Sequence, residues 1–438
     1  MCLAAVRIPT LAAVMILLML VIEQVVQSVA PGLRSGGAGQ AINYVIGIME
    51  ILSFVYLWTR DPSVLRGGVT GSLLATFGLL AWALISIAWS PGREEGLGIV
   101  AWGFPYLVTT VVIAPLLIVD IKALSNMMFW LVVVGTATTA AFLLSPEFQM
   151  KGGRLVMDLS AGAVSSALIV GELGGTLLIA AALARGGGMG RGGLWLRGIA
   201  VASGIALAIM SGSRGQFFFA LAVVVLFIPL AAPVRNIRAF AATAIGIAVV
   251  ILIANFAMDT ILGGFAAKRF SADAILYGSS SASGRWQNTL MLFNAWTQEP
   301  IAIVIGLGYN AFSGLPETTG EPYSHVLFAD AIFELGLPGA GLLFLSLYLG
   351  IKDSIGLFRT FRHVPAYRAA CASLCAQIVY QILLVNKQGS LWGIPVLFFY
   401  TALASRLYAR AKQGFDVNSP EELDEPPETL TYDQRPQG

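Results

Sequence analysis

Three side chains combine the residue types needed to displace a phosphate leaving group: Arg214, Arg285 and His325. Guanidinium groups bind phosphate oxygens bidentately, and an imidazole can take a proton from an attacking hydroxyl near neutral pH. The chain has only two histidines, and His363 lies in a basic stretch where we expect a solvated loop. A lone histidine at a helix start is more often structural than catalytic, so the hypothesis depends on its neighbours.

The local sequence around each group indicates where it lies. Arg214 belongs to an SGSRG segment that interrupts two apolar runs, and an unpaired guanidinium at membrane depth is costly. The alternative is a snorkelling arginine that marks a helix end. Arg285 opens an amphipathic stretch in SGRW, and His325 directly precedes an apolar helix.

Weaker candidates surround these three residues. Arg154 and Arg269 are further outer-face arginines that could contact phosphate or acidic sugars, with a solvated loop role as the alternative. Glu334 lies about two turns into the helix that follows His325 and could orient the histidine indirectly. No carboxylate metal motif accompanies these residues, so we expect neither a metal nor another cofactor.

The composition fixes the class of protein that must position these groups. Hydrophobic residues make up 57% of the 438 and charged residues 11%, with a mean hydropathy of +0.79, which excludes a soluble domain. The apolar runs are continuous rather than alternating, so a closed barrel is excluded. The net charge of +2 is too small to indicate a nucleic-acid partner. We predict an all-α, polytopic membrane helix bundle.

About twelve stretches are long or apolar enough to be membrane helices, since a bilayer core needs about 20 apolar residues per helix. The predicted spans are about 8–28, 40–58, 69–89, 97–119, 124–144, 161–184, 198–210, 216–233, 239–258, 326–350, 369–386 and 390–405. They form one transmembrane domain, 1–412. The acidic, proline-rich segment 413–438 is predicted to be a disordered cytoplasmic tail.

The distribution of basic residues predicts the orientation, because cytoplasmic loops carry the excess of Lys and Arg. With both termini inside, seventeen of the 26 basic residues fall on cytoplasmic segments. The nine on the disfavoured outer side are Arg34, Arg93, Lys151, Arg154, Arg214, Lys268, Arg269, Arg285 and Lys387. One outer loop, about 259–325 between the ninth and tenth spans, is far longer than the others. Loops of that length usually carry function.

Several motifs together resemble the O-antigen ligase superfamily of bacterial membrane glycosyltransferases. They are the SGSRG turn, the SGRW start, Gly306-Leu-Gly308, and the segment from Tyr323-Ser-His325 to Glu334-Leu-Gly-Leu-Pro-Gly339. The matching region runs from about residue 150 to 350. Family members often have Asn after the histidine, where this chain has Val326, and Pro338 is uncommon in the last motif.

The resemblance implies an enzyme of the bacterial inner membrane that transfers a glycan from undecaprenyl diphosphate, at the periplasmic face, to an acceptor sugar hydroxyl. His325 would be the general base, and Arg214 and Arg285 would hold the lipid diphosphate, without a metal. The acceptor would be another glycan or lipid A core, and membrane lipids surround the enzyme. A chain-length regulator or other polysaccharide assembly proteins are partners that the resemblance admits.

Three functions remain open at this point. A polymerase of exopolysaccharide or O-antigen repeat units is favoured slightly over an O-antigen ligase, because no residue points to a lipid A core acceptor. A transporter of polysaccharide or lipid-linked sugar is the alternative from another class, although we find no internal repeat of the kind that transporters commonly show. Glu50 and Glu172 fall near the middle of predicted spans, where ionisable groups are functional candidates, and the sequence assigns neither a role.

Overall fold

A computed structural model describes residues 2–34, 38–159, 164–184, 191–232, 280–316, 318, 323–388 and 390–414. Helices dominate these residues. In chain order they are α1 (Cys2–Arg7), α2 (Pro9–Leu17), α3 (Met19–Val29), α4 (Ala38–Arg60), α5 (Gly71–Ser86), α6 (Arg93–Leu107), α7 (Ala114–Leu116), α8 (Ile121–Leu144), α9 (Ala167–Leu183), α10 (Arg191–Met210), α11 (Arg214–Ala231), α12 (Ser280–Gln298), α13 (Ala302–Ile305), α14 (Leu327–Phe333), α15 (Gly336–Phe361), α16 (Pro365–Gln388) and α17 (Pro395–Lys412).

The chain is a multi-pass membrane protein by the length and apolar character of these helices. Eight stretches of the described residues are long and apolar enough to cross a bilayer: Gln40–Arg60, Gly71–Trp89, Arg93–Leu116, Ile121–Leu144, Gly193–Met210, Arg214–Ala231, Gly336–Phe361 and Tyr367–Lys387. The pair α2 and α3, bent by 76°, adds a ninth if it counts as one span, and α9 is a shorter apolar helix. The predicted span at 239–258 and the predicted tail from residue 415 lie outside the described residues.

One short hairpin departs from the all-α prediction. Strand β1 (Phe148–Lys151) pairs in antiparallel register with β2 (Arg154–Met157), so that Lys151 faces Arg154. Gly152 and Gly153 form the two-residue turn with φ of 55° and 73°. Such a turn needs positive φ at both positions, which glycine adopts without steric cost. The hairpin follows α8 and precedes α9.

The single helix predicted at 326–350 is wrong, because the structure divides it into α14 and α15. The break falls at Gly336, whose φ of 63° is left-handed and incompatible with a continuing helix of L-residues. Glu334 therefore lies at the end of α14 rather than inside a long helix. Pro338 sits in the first turn of α15, where its missing N–H removes no helical hydrogen bond.

Two half-buried arginines join helix ends on the side predicted to be cytoplasmic. The guanidinium of Arg197 donates to the carbonyls of Ala181 and Ala182 at the end of α9, and that of Arg368 donates to Pro229 and Leu230 at the end of α11. Carbonyls at helix C-termini have no partner within the helix, so these contacts satisfy them. The opposite ends of α11 and α16 carry Arg214 and Lys387, which are considered next.

Candidate functional site

The SGSRG segment forms the tight turn between α10 and α11. Gly212 has a φ of 66°, and the Ser211 hydroxyl accepts a hydrogen bond from the Ser213 N–H at 3.2 Å. Arg214 is the first residue of α11 and is half-buried. The structure thus confirms that the turn separates two membrane helices and places Arg214 at a helix end.

The hairpin packs directly on this turn. A Cβ added at Gly212 would meet the carbonyl oxygen of Gly153 well inside contact distance and would lie 2.9 Å from Cγ of Arg154. Glycine at 212 is therefore required both by its φ and by this close approach. The contact brings the exposed side chain of Arg154 to the residues around Arg214.

Lys387, on α16, contacts the same turn between α10 and α11. Its Nζ donates to the Ser213 hydroxyl at 2.5 Å, and its side chain fills the space where a Cβ on Gly215 would lie. The ammonium group is also within electrostatic range of Arg285, Arg154 and Arg214. We call Arg154, Arg214, Arg285 and Lys387 the cationic cluster.

The cationic cluster draws its members from four separate elements: β2, α11, α12 and α16. The three arginine charges beside Lys387 repel each other and create a positive potential that favours a polyvalent anion. Guanidinium and ammonium groups are the side chains that most often bind phosphate oxygens. The arrangement is therefore suited chemically to a group such as a diphosphate.

His325 lies on a separate segment between the outer loop and α14. Its backbone is left-handed, with a φ of 68°, and its ring meets the edge of the Tyr323 ring with 4.2 Å between centroids. Positive φ in a residue other than glycine is uncommon and marks a constrained site. The imidazole is half-buried, so it remains accessible from one side.

A buried carboxyl, that of Asp330, holds the backbone around His325, and a second, that of Glu334, lies four residues further along the chain. The Ser324 hydroxyl donates to Asp330 and accepts from the Val326 N–H at 3.1 Å, so Asp330 fixes the residues on both sides of the histidine. Burial raises the pKa of Asp330 to about 7, an effect that the Ser324 hydrogen bond reduces. Burial, followed by the charge of Asp330, raises the pKa of Glu334 well above its usual range.

Glu334 holds a different segment from the one expected. Its two carboxyl oxygens accept the N–H groups of Asn310 at 3.0 Å and Phe312 at 2.9 Å. Its own carbonyl accepts the Gly308 N–H at 2.8 Å. The Gly306-Leu-Gly308 and Glu334-Leu-Gly336 motifs are therefore one structural unit, in which Gly306 and Gly336 approach too closely for any Cβ. Glu334 thus holds residues 308–312.

A cavity lies between the histidine segment and α16, the helix that carries Lys387. Its wall includes Tyr323 from the histidine segment and Leu384 from α16, three residues before Lys387. Residues three apart on a helix lie about one turn from each other. The structure thus brings Arg154, Arg214 and Arg285 together around Lys387. Tyr323, two residues before His325, lines the cavity.

Several predicted residues do not join this site or lie outside the description. Arg269 is outside the described residues, and His363 is exposed in the connection between α15 and α16, as predicted. No group of three or more His, Cys, Asp or Glu side chains in the described part of the chain could hold a metal, and the metal-free mechanism stays a prediction.

Sequence reasoning missed the roles of Lys387 and Asp330. The sequence identified Lys387 only as one of nine basic residues predicted on the outer side. That unfavourable position could have indicated its role, because four of the nine form the cationic cluster. Asp330 follows Ser324 by six residues and lies in an apolar run, where a single carboxyl is unusual.

Comparison with known proteins gives no match to any family model or to any curated protein. The site must therefore be interpreted from its own geometry.

Proposed function

We propose that this chain is a membrane glycosyltransferase that moves a glycan from undecaprenyl diphosphate to the hydroxyl of an acceptor sugar at the periplasmic face of the bacterial inner membrane. The observation that carries the proposal is the cationic cluster at the ends of α11 and α16, with a cavity nearby that is lined by Tyr323 of the histidine segment and by Leu384 of α16. A lipid diphosphate carries its charge at the membrane interface, where helix ends of this kind lie.

The chemistry assigns each residue a role. His325 takes the proton of the acceptor hydroxyl while its oxygen attacks the anomeric carbon of the glycan. The bond from that carbon to the diphosphate breaks, and the diphosphate leaves with the electron pair. Arg214, Arg285 and Lys387 stabilise the charge that grows on the leaving oxygen, and Arg154 widens the same positive surface. Asp330 acts only by positioning the histidine segment through Ser324.

Among glycosyltransferases we favour a polymerase of exopolysaccharide or O-antigen repeat units. The ligase reading uses the same donor and the same residues, and it differs only in having lipid A core as the acceptor. In this proposal both termini lie in the cytoplasm, because Arg197, Arg368 and Arg406 gather at the helix ends opposite the site.

A transporter of lipid-linked sugar is a second candidate, and one observation favours it. The first span is broken at Leu18 with a bend of 76°, and Leu17, Leu18 and Leu20 line the cavity at the break. Broken helices beside a central cavity are typical of secondary transporters.

Glycan analysis of a deletion strain separates these functions. The strain is complemented with wild type, His325→Ala, Arg214→Ala or Arg285→Ala, and membrane insertion of each variant is checked first. Single repeat units left on the lipid carrier indicate a polymerase, whereas long lipid-linked chains with a bare core indicate a ligase. Normal glycans from all three variants contradict the proposed site and favour the transporter.

A further inference from the structure

The cavity extends inward from the histidine segment to polar groups that the proposed reaction does not use. Its volume is about 240 Å³, and it lies between α3, α6, α9, α16 and α17. Tyr323 stands at its outer end. Glu172 lines it from α9, with Gln381 beside it on α16 and the rings of Tyr106 and Tyr400 in its wall.

Glu172 and Gln381 form a hydrogen-bonded pair. The Gln381 Nε2 donates to Oε1 of Glu172 at 2.9 Å, and Gln381 is 3% exposed. A carboxylate can accept about four hydrogen bonds, so this pair keeps capacity for hydroxyl groups of a ligand. An ionisable group within a membrane span costs roughly 2.5–3.5 kcal/mol at the helix centre, which makes a purely structural glutamate an expensive choice.

The lining excludes several classes of ligand. Among the described residues that line the cavity none is basic, so a phosphate has no partner there. An isoprenoid chain would place apolar carbon against the carboxyl of Glu172 and leave its remaining hydrogen bonds unmade. The cavity volume of about 240 Å³ is the volume that about eight water molecules occupy in liquid water. This is far more than one cation needs.

We infer that this cavity binds an uncharged, hydroxylated sugar unit, with Glu172 and Gln381 hydrogen bonding to its hydroxyls and Tyr106 and Tyr400 packing against its carbon faces. The inference rests on the proposed function, and it extends the site from the diphosphate to the sugar. The sugar belongs either to the transferred glycan or to the acceptor, since both present the same chemistry at Tyr323.

Binding to the full-length protein in nanodiscs tests the inference with three probes. They are polyprenyl diphosphate, the same lipid bearing the saccharide extracted from the host membranes, and the free saccharide released by mild acid. The variant is Glu172→Gln, which preserves shape. Its control is Glu50→Gln, because Glu50 is a second glutamate within a membrane helix and is fully buried, but it does not line the cavity. Arg214→Ala reports on the diphosphate.

We expect Glu172→Gln to weaken binding of the saccharide-bearing lipid about tenfold, the loss of one hydrogen bond to a charged group. Binding of the sugar-free lipid should not change, and Glu50→Gln should match wild type with every probe. If Glu172→Gln also weakens binding of the free saccharide, the cavity holds the acceptor. A loss confined to the lipid-linked saccharide assigns the cavity to the donor, and both results support the inference.

The inference is overturned if wild type and Glu172→Gln bind both saccharide probes with equal affinity. It is also overturned if Glu172→Gln weakens binding of the sugar-free lipid as much as binding of the saccharide-bearing lipid. If Arg214→Ala nevertheless weakens binding of both lipids, the proposed function is supported and only the sugar site is contradicted. If wild type binds neither lipid, the proposed function itself fails.

Discussion

The substitution Gly212→Ala tests the contact that builds the cationic cluster. The added Cβ would lie 2.9 Å from Cγ of Arg154, whereas ordinary contacts begin at 3.4 Å. The hairpin must therefore retreat by at least about 0.5 Å, and by more to clear the Gly153 carbonyl oxygen. The left-handed φ of 66° adds a cost of about 1–2 kcal/mol for any L-residue.

Gly152→Ala is the matched control. Gly152 also has a left-handed φ, 55°, but no atom lies within 4 Å of its added Cβ. Both variants therefore lose a similar 1–2 kcal/mol of backbone energy, and only Gly212→Ala displaces Arg154. A misplacement of about 1 Å in a catalytic arrangement can reduce the rate roughly 100-fold.

The assay is release of polyprenyl diphosphate from a lipid-linked saccharide by each purified variant, together with its midpoint of thermal unfolding. We expect a lower midpoint for Gly212→Ala than for Gly152→Ala, because only the Cβ added at Gly212 meets the hairpin. At a temperature where both variants are folded, the rate for Gly212→Ala should be about 100-fold below that of Gly152→Ala. Equal rates would refute the claim that the hairpin contact positions a functional arginine.

Three further predictions follow from single contacts. Lys387→Met keeps the packing of the stem but removes the charge beside Ser213, and we expect at least tenfold slower transfer, with no change for the exposed Lys352→Met control. Burial raises the pKa of Asp330 to about 7, so its contribution to stability is complete at low pH and is lost as the pH rises through 7. The midpoint of thermal unfolding should therefore fall between pH 5 and pH 8. The fall should be smaller in Asp330→Asn. Arg406→Met leaves the buried carbonyls of Pro115, Val64 and Ile118 without their donor. This should lower the free energy of unfolding by roughly 2–4 kcal/mol. Unchanged stability would mean that water replaces the guanidinium.

The membrane class and most helices could be predicted because bilayer thickness fixes the length of an apolar run. The four-residue strands of the hairpin were missed because a helix bundle was expected throughout, although Gly152-Gly153 between them is a recognised hairpin signal. The break at Gly336 was missed for a similar reason. A continuous apolar pattern at 326–350 hides a left-handed residue, and only the contact with Gly306 shows why the chain turns there.

Site residues could be predicted where the sequence itself shows a charged side chain in an energetically unfavourable position. Arg154, Arg214 and Arg285 stand out because the predicted topology puts them on the side of the membrane that disfavours basic residues, and the structure brings them together. Arg406 could not be recognised, because a cytoplasmic arginine is expected to be solvated, whereas its side chain is 1% exposed and binds backbone carbonyls of distant segments. Contacts between segments hundreds of residues apart leave no local pattern.

The most direct test of the account is glycan transfer by the purified protein in nanodiscs, with a lipid-linked saccharide as donor and released polyprenyl diphosphate as the readout. We predict that His325→Ala loses about 10²–10⁴-fold in rate and that Arg214→Ala and Arg285→Ala each lose about 10²–10³-fold. The exposed Arg359→Ala control should match wild type. Wild-type rates in His325→Ala and both cluster variants would contradict the assignment of this site.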